Sequence, residues 1–353
     1  YLQQDGILHG LDMYTDAKGH FLKALQERIL IPRKLDYRVQ FCGPTGTNAV
    51  EAALKIARKV KGRRNIFAFQ GGYHGMTLGA LACTGNAYNR KGASTALPDV
   101  TFMPYPFGAM KDIDTIAYID AVLFDTSSGV DKPAAMVLET IQAEGGVVVA
   151  PVEWLQKIRA LCDKHDILMI VDDIQVGCGR SGGFFSFERA GIVPDIVTLS
   201  KSISGSGLPL AIVLLKPELD KWLPGEHNGT FRGNQLAFVS GVAGIELFEQ
   251  LNIPKQVEEK SAFVGGELAA IIERVDPRME LRGLGLIWGV DLSPLKNEKL
   301  IDVITENCFD AGLIIENAGR KGQVLKLLPP LTVTMDELSL GLEIIERSMK
   351  KAL

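Results

Sequence analysis

Four short segments of the sequence contain residue types that bind anions or react with carbonyl groups, and each follows a run of apolar residues. They are GPTGT at 43–47, GGYHG at 71–75, DDIQ at 172–175 and SKSISG at 200–205. In open α/β sheets, ligands bind beyond the carboxyl ends of the strands. A single active site that uses all four segments is therefore our first hypothesis.

The segment GPTGT predicts an irregular turn that opens directly into a helix. Free backbone N–H groups and the positive end of the helix dipole favour a phosphate at such a helix start. Thr45 and Thr47 add two hydroxyl donors. An ordinary helix-capping turn accounts for the same residues, because Ser and Thr are common there. Both interpretations stay open on this segment alone.

Two adjacent aspartates, Asp172 and Asp173, end the apolar run ILMIVDD. Neighbours on a strand point to opposite faces, so the two cannot act together as a catalytic carboxylate pair. An aspartate at the end of a buried strand is costly unless it meets a cation or several donors, and a protonated ring nitrogen is such a cation. The alternative is that both aspartates cap the strand end and contact solvent.

Lys201 directly follows the apolar run DIVTLS. A lysine in a partly dry cleft has a lowered pKa and becomes a nucleophile that forms a Schiff base with an aldehyde. A solvated side chain at the end of a strand is the alternative. Together with a phosphate-binding turn and an aspartate suited to a pyridine nitrogen, Lys201 predicts pyridoxal 5'-phosphate as the cofactor.

Residues 177–182, GCGRSG, match the glycine pattern of dinucleotide-binding loops. The context contradicts that match, because GGFFSFERAG follows instead of an amphipathic helix. Two aspartates also precede the loop, where a pyrophosphate would have to approach. The sequence therefore argues against a nicotinamide enzyme.

Alternating strand and helix patterns predict an α/β fold with a mostly parallel sheet covered by helices on both faces. We predict a large domain at 30–248, preceded by an N-terminal segment at 1–29 and followed by a smaller C-terminal α/β domain at 249–353. The predicted strands lie at 65–70, 134–140, 166–173, 195–201 and 208–215, and the clearest helices at 47–61 and 152–165.

Composition narrows the classes of partner. A formal net charge of -4 over 353 residues, without a basic run, argues against a nucleic-acid or membrane surface. The five cysteines are odd in number and scattered, which is typical of reduced thiols in the cytoplasm. The five histidines are equally dispersed, so the sequence predicts no metal site. Small molecules and other subunits are the expected partners.

Six motifs occur in the order found in the class III aminotransferases, which are pyridoxal-phosphate enzymes of fold type I, and the chain resembles that family over nearly its whole length. They are FCGPTGTNAVEAALKIAR, GGYHG, ETIQAEGG, IVDDIQVGCGRSG, TLSKSISG and GTFRGN. The resemblance implies transfer of an amino group between amino acid and oxo-acid substrates. It also implies a homodimer or higher homo-oligomer with shared active sites.

The resemblance assigns roles to individual residues around the cofactor. Lys201 resembles the Schiff-base lysine, which also moves a proton between the substrate carbon and the cofactor. Asp172 resembles the residue that keeps the pyridine nitrogen protonated, and Gln175 the residue beside the phenolic oxygen. Tyr73 matches the aromatic ring stacked on the pyridine, with His74 next to it in the same cofactor-binding motif.

The phosphate group has its own set of matching positions. Gly46 and Thr47 resemble the phosphate loop of the family. Thr230, in GTFRGN, resembles the threonine that reaches the phosphate from the neighbouring subunit. A dimer is then expected to be the smallest complete enzyme.

Substrate-binding positions depart from the common pattern of the family. Glu144 corresponds to the glutamate that pairs with a carboxylate-binding arginine, but the position expected to hold that arginine is Lys326. Arg232 is a second candidate for binding the substrate carboxylate. Met76 stands where 4-aminobutyrate relatives have arginine, which argues against that substrate. The family also has an N-terminal segment at the substrate pocket that we expect this chain to lack.

Overall fold

The structure is a computed structural model that describes residues 1–353, and it contains two main sheets and a short hairpin. The strands are β1 (Arg38–Phe41), β2 (Ile66–Phe69), β3 (Val100–Met103), β4 (Ala135–Leu138), β5 (Ile141–Gln142), β6 (Val148–Val149), β7 (Leu168–Asp172), β8 (Ile196–Leu199), β9 (Ile212–Leu215), β10 (Glu280–Leu284), β11 (Ile287–Asp291), β12 (Glu316–Ala318) and β13 (Val324–Leu327).

Helices cover both sheets. The α-helices are α1 (Asp16–Ala24), α2 (Gly46–Lys61), α3 (Leu78–Cys83), α4 (Ala87–Lys91), α5 (Thr115–Phe124), α6 (Val152–Lys164), α7 (Gln235–Gln250), α8 (Ile253–Val275), α9 (Leu300–Asp310) and α10 (Met335–Ala352). No single helix is long and apolar enough to span a membrane. Helices α7 and α8, bent by 69° at their junction, reach the length and composition of a span only when taken together.

The central sheet has seven strands in the order β1-β9-β8-β7-β4-β2-β3. Strands β3, β2, β4, β7 and β8 run parallel, whereas β9 pairs antiparallel with both β8 and β1. The α/β fold with a mostly parallel sheet is therefore confirmed. Because β7 and β8 run in the same direction, Asp172 and Lys201 emerge at the same edge of the sheet.

Apolar side chains alternate between the two faces of this sheet. In β2, Phe67 and Phe69 join one core cluster of 62 buried residues, while Ile66 and Ala68 join another of 22. Such alternation is what a strand with period two produces when helices cover both faces. Helix α2 contributes its apolar side to the smaller cluster, which fixes the start of that helix at the sheet edge.

All five predicted strands are longer than the observed ones, and the ends of β8 and β9 have clear physical causes. Strand β8 stops at Leu199 because Lys201 adopts a positive φ of 52° and begins a 3₁₀ turn. Strand β9 covers only Ile212–Leu215 of the predicted 208–215. Pro209, which has no backbone N–H, lies in the unpaired part. The link between β8 and β9 contains no α-helix to carry a parallel crossover, so the two strands pair antiparallel.

The C-terminal region contains a four-stranded sheet in the order β10-β11-β13-β12, with every pair antiparallel. Helices α8, α9 and α10 accompany it. Thr334 and Glu337 form a reciprocal capping box at the start of α10, which satisfies two backbone donors there. The domain boundaries at residues 30 and 249 stay a prediction.

Candidate active site

The four segments with reactive residue types line one cavity of about 280 Å³ at the carboxyl edge of the central sheet. It is the position at which parallel α/β sheets bind ligands. Its predicted site residues are Gly46, Thr47, Tyr73, His74, Glu144, Asp172, Gln175 and Lys201. The structure thus brings together most of the residues that the sequence analysis singled out.

Lys201 extends into this cavity from the end of β8. Its φ of 52° is unusual for a residue with a side chain, and such backbone strain is found mainly at functional sites. The surrounding protein atoms lower the pKa of Lys201, although the negative charge of Glu144 opposes that effect. Lys201 nevertheless remains exposed and lines the cavity, so an aldehyde can reach its amine.

This lowered pKa predicts how the cofactor-free protein reacts with amine reagents. A protonated ammonium is not a nucleophile, so reaction with trinitrobenzenesulfonate rises with pH as Lys201 loses its proton. We expect the midpoint for Lys201 to lie below 10.5, the ordinary value for lysine. Mass-spectrometric mapping of modified peptides as a function of pH measures this. A Lys201 profile that coincides with the exposed surface lysines would contradict the expectation.

Asp172, at the end of β7, is only 5% exposed and is held by three donors. Its Oδ2 atom lies 2.7 Å from Nδ1 of His74, and its Oδ1 atom accepts hydrogen bonds from Thr198 Oγ1 and the Ile174 backbone N–H. Burial alone would lower the pKa of His74, but the hydrogen bond and charge of Asp172 outweigh burial and raise it. His74 therefore supports Asp172 from inside the protein.

Asp173 has different surroundings, as the strand geometry predicts. Its Oδ2 atom accepts a hydrogen bond of 3.0 Å from the Ser186 backbone N–H, away from the cavity. Burial raises the pKa of this carboxyl group to about 7. The two adjacent aspartates thus occupy separate sites, and only Asp172 faces the cavity.

The start of α2 forms one end of the cavity. Thr45 is the N-cap residue, but its hydroxyl donates to Asn48 Oδ1 and leaves the first-turn backbone N–H groups without a side-chain cap. Across from it, Gly75 has a φ of 124°, and a Cβ atom there would lie 2.4 Å from Thr47 Oγ1. The absence of a side chain at Gly75 thus allows Thr47 to pack there, and the free N–H groups at the start of α2 suit a phosphate.

Glu144 lies at the centre of a network on the substrate side. Its Oε1 atom accepts hydrogen bonds from Gln175 Nε2 at 3.0 Å and from Lys326 Nζ at 2.6 Å. Burial opposes ionisation, but the hydrogen bond and charge of Lys326 prevail and lower the pKa of Glu144. Lys326 is also 3.1 Å from Glu316 Oε2, and its side chain is only 1% exposed. Lys326 is therefore enclosed between two carboxylates.

Glu139 belongs to the site, although sequence reasoning assigned it no role. Its carboxylate accepts hydrogen bonds from the backbone N–H groups of Tyr73 and Ala143, and it lines the cavity. Burial raises the pKa of Glu139 to about 7. Its place directly after β4, at the same sheet edge as the other site segments, is a signal that could have identified it.

Three predicted residues, Lys326 among them, do not line this cavity of their own chain. Thr230 and Arg232 belong to the loop before α7, and Thr230 is exposed. Arg232 donates a hydrogen bond to the His227 backbone carbonyl. Burial lowers the pKa of Arg232, and no carboxylate pairs with it. Their predicted roles at the phosphate and the substrate carboxylate stay predictions.

Comparison with known proteins identifies relatives over most of the chain. A profile of the family described as aminotransferase class-III matches residues 18–349. The diaminobutyrate–2-oxoglutarate transaminase of Bordetella parapertussis (strain 12822 / ATCC BAA-587 / NCTC 13253) is 51% identical over 355 residues, which cover 100% of this chain and 81% of the relative. The enzyme of the same name from Wolinella succinogenes is 52% identical over 354 residues, covering 100% and 82%.

Solved structures share the fold at lower sequence identity. A taurine:2-oxoglutarate aminotransferase from Bifidobacterium kashiwanohense, in complex with PLP and glutamate, superposes with a TM-score of 0.87 at 24% identity, covering 99% of this chain and 83% of that one. An S-selective transaminase from Bacillus megaterium has a TM-score of 0.87 at 23% identity, covering 99% and 84%. These likenesses show that the chain shares the fold of these transaminases.

Proposed function

The chain is a class-III aminotransferase, and we propose that it transfers the amino group of L-glutamate to L-aspartate 4-semialdehyde. The products are 2-oxoglutarate and L-2,4-diaminobutyrate, and the reaction is reversible. The observation that carries this proposal is the identity of 51–52% to relatives named for diaminobutyrate and 2-oxoglutarate. Met76 and Lys326, at the two positions where the family varies with substrate, support it.

Pyridoxal 5'-phosphate is the cofactor of this family. When bound, it supplies an aldehyde that takes up an amine and a pyridine ring that accepts electron density from the substrate carbon. The cavity fits this group. The start of α2 suits its phosphate, Asp172 its ring nitrogen and Lys201 its aldehyde.

Lys201 has two tasks in this proposal. Its amine would hold the aldehyde of the cofactor, and the lowered pKa of Lys201 favours the neutral, nucleophilic form of that amine. Once an amino substrate has taken its place, the amine of Lys201 would act as general acid and base toward the proton on the substrate carbon. Because both substrates enter the same cavity in turn, the two half-reactions follow ping-pong order.

The remaining residues position the cofactor. Asp172, held by its hydrogen bond with His74, would place a negative charge beside the ring nitrogen and so favour its protonated form. Gln175, fixed by its hydrogen bond to Glu144, is assigned to the phenolic oxygen. The backbone N–H of Tyr73 donates a hydrogen bond to Glu139, and we assign the Tyr73 side chain to the face of the pyridine ring.

Assembly and cellular context are further parts of the proposal. We assign Thr230 to the phosphate of the neighbouring subunit, which requires at least a homodimer, because this residue is exposed and outside the cavity of its own chain. The reaction is the first step of ectoine biosynthesis, a response to osmotic stress. We place it in the cytoplasm, consistent with five unpaired cysteines.

A panel of amino donors tests the assignment. With L-aspartate 4-semialdehyde as acceptor, L-glutamate should give L-2,4-diaminobutyrate and 2-oxoglutarate in equal amounts, measured by liquid chromatography with mass detection. The nearest alternative is another ω-aminotransferase, acting on ornithine, acetylornithine or 4-aminobutyrate. We expect kcat/KM for L-2,4-diaminobutyrate, in the reverse direction, to exceed that for each of these amines. A higher value for any of them would replace our substrate assignment with that amine.

A further inference from the structure

A second cavity, of about 690 Å³, meets the first at Tyr73 and Glu144, and Arg320 lines it. We propose that Arg320 binds the far carboxylate of both amino donors, and that Glu144 accepts the second ammonium group of L-2,4-diaminobutyrate. This inference rests on the proposed function and names the groups that give it substrate specificity.

Both donors present a carboxylate at the same distance from the reacting carbon. In L-glutamate two methylene carbons separate the reacting carbon from the far carboxyl carbon. In L-2,4-diaminobutyrate, two carbons likewise separate the reacting carbon from the carboxyl carbon. The one next to the carboxyl carbon carries the second ammonium group. A carboxylate taken from water into a cavity requires a cation or several donors. One cation can therefore serve both donors.

The other cations near the cavity do not meet this requirement. Lys326 is 1% exposed and already contacts Glu144 and Glu316, so a substrate carboxylate has no access to it in this arrangement. Arg232 lies outside the cavity and donates to the His227 carbonyl. Lys201 supplies the amine that reacts with the aldehyde. Lys321 also lines the second cavity, but its side chain is 72% exposed and lies 3.6 Å from Glu298.

Arg320 lies in the turn between β12 and β13, next to Glu144. The backbone N–H of Gly319 donates to the Glu144 carbonyl at 2.9 Å, which fixes the turn beside the first cavity. The guanidinium passes over Gly71, where a Cβ atom would lie 3.4 Å from Arg320 Nη2, and faces the Phe107 ring at 5.9 Å. No carboxylate pairs with it. A guanidinium offers a carboxylate two parallel donors, which an ammonium does not.

Glu144 has one carboxylate oxygen available for substrate. Gln175 and Lys326 both donate to Oε1, and no group of the protein donates to Oε2. The pKa of Glu144 is lowered, chiefly because Lys326 outweighs burial, so the group is anionic. The second ammonium of L-2,4-diaminobutyrate fits Oε2, whereas L-glutamate has a methylene group at that carbon.

Half-reactions of Arg320→Ala with three amines test the proposal. They are followed by the visible absorption of the bound cofactor. We expect KM for L-glutamate and L-2,4-diaminobutyrate to rise about tenfold to a hundredfold, as loss of a charge-assisted hydrogen bond predicts, with kcat little changed. For 1,3-diaminopropane, which lacks the carboxylate, the KM of the variant should equal that of the wild type. Unchanged KM values for the two amino acids, or an equal rise for 1,3-diaminopropane, would overturn the proposal.

Further variants separate the contributions. Lys321→Ala, which removes the neighbouring cation that lies 3.6 Å from Glu298, should leave all three KM values unchanged. Arg320→Lys keeps the positive charge but loses the two parallel donors, so its KM values should lie between those of the wild type and Arg320→Ala. Wild-type KM values would overturn the role of the paired donors. Glu144→Gln should raise KM for L-2,4-diaminobutyrate more than for L-glutamate, and an equal rise would contradict the ammonium contact. A wild-type protein that fails to respond to either amino acid would instead refute the proposed function.

Discussion

Lys201→Ala is expected to lower kcat of transamination by about 10⁴-fold or more, because general acid–base transfer alone contributes roughly 10²–10⁴-fold and covalent binding of the cofactor is lost as well. The side chain lies at the cavity where the end of β8, the end of β7 and the start of α2 meet. No other lysine lines this cavity. Steady-state rates with L-glutamate and L-aspartate 4-semialdehyde measure the effect.

Two control variants show whether the loss is specific. Lys201→Arg keeps a cation in the cavity but removes the nucleophilic amine, so it should be as inactive as Lys201→Ala. Ser202→Ala changes the next residue, which is exposed and outside the cavity, and should retain wild-type kcat. If Lys201→Ala kept more than a small fraction of wild-type kcat, Lys201 would not be the catalytic lysine.

Asp172→Asn carries the second largest expected effect. An electrostatic partner aimed at a group whose charge changes during the reaction is worth roughly 10²–10³ in kcat. Asparagine preserves the size of the side chain but removes the negative charge that stabilises a protonated ring nitrogen and His74. We expect kcat to fall by that factor, measured in the same assay. Retention of wild-type kcat would contradict the assignment of Asp172.

Asp173→Asn is the matched control for this prediction. The two aspartates are adjacent and both buried, but Asp173 faces Ser186 and not the cavity. Because burial raises the pKa of Asp173 to about 7, the folded protein already tolerates a partly neutral group there. Asparagine can still accept the hydrogen bond from the Ser186 backbone N–H. We expect kcat to stay close to the wild-type value.

The components of the site could be predicted because they follow strand ends. Strand β2 at Ile66–Phe69 lies inside the predicted 65–70, and α2 begins one residue before the predicted 47. Local periodicity decides such elements. Once the sheet was predicted to be mostly parallel, the carboxyl ends of β4, β7 and β8 had to share one edge, which brought Asp172 and Lys201 together.

The contacts that tune the site could not be predicted, because they depend on tertiary packing. His74 and Asp172 are 98 positions apart in the chain, and only the fold places Nδ1 beside Oδ2. Lys326 is enclosed because the register of β12 and β13 places Glu316 directly opposite it. The raised pKa of Glu139 follows from burial, which a single sequence does not specify.

The sequence could not identify the cation that binds the substrate carboxylate either. Lys326 stands at the family position, and the sequence contains no sign that it is 1% exposed. Arg320 belongs to the turn after β12, where an arginine is ordinarily a surface residue. Only the packing of that turn beside Glu144 and over Gly71 makes it a candidate.

The most direct test of this account is the visible absorption spectrum of the protein with pyridoxal 5'-phosphate, recorded before and after addition of L-glutamate. We predict a visible band for the wild type that disappears with L-glutamate and returns with L-aspartate 4-semialdehyde, and that Lys201→Ala does not form. A wild-type protein without such a band, or with a band that L-glutamate leaves unchanged, would contradict the assignment of this cavity to glutamate-dependent transamination.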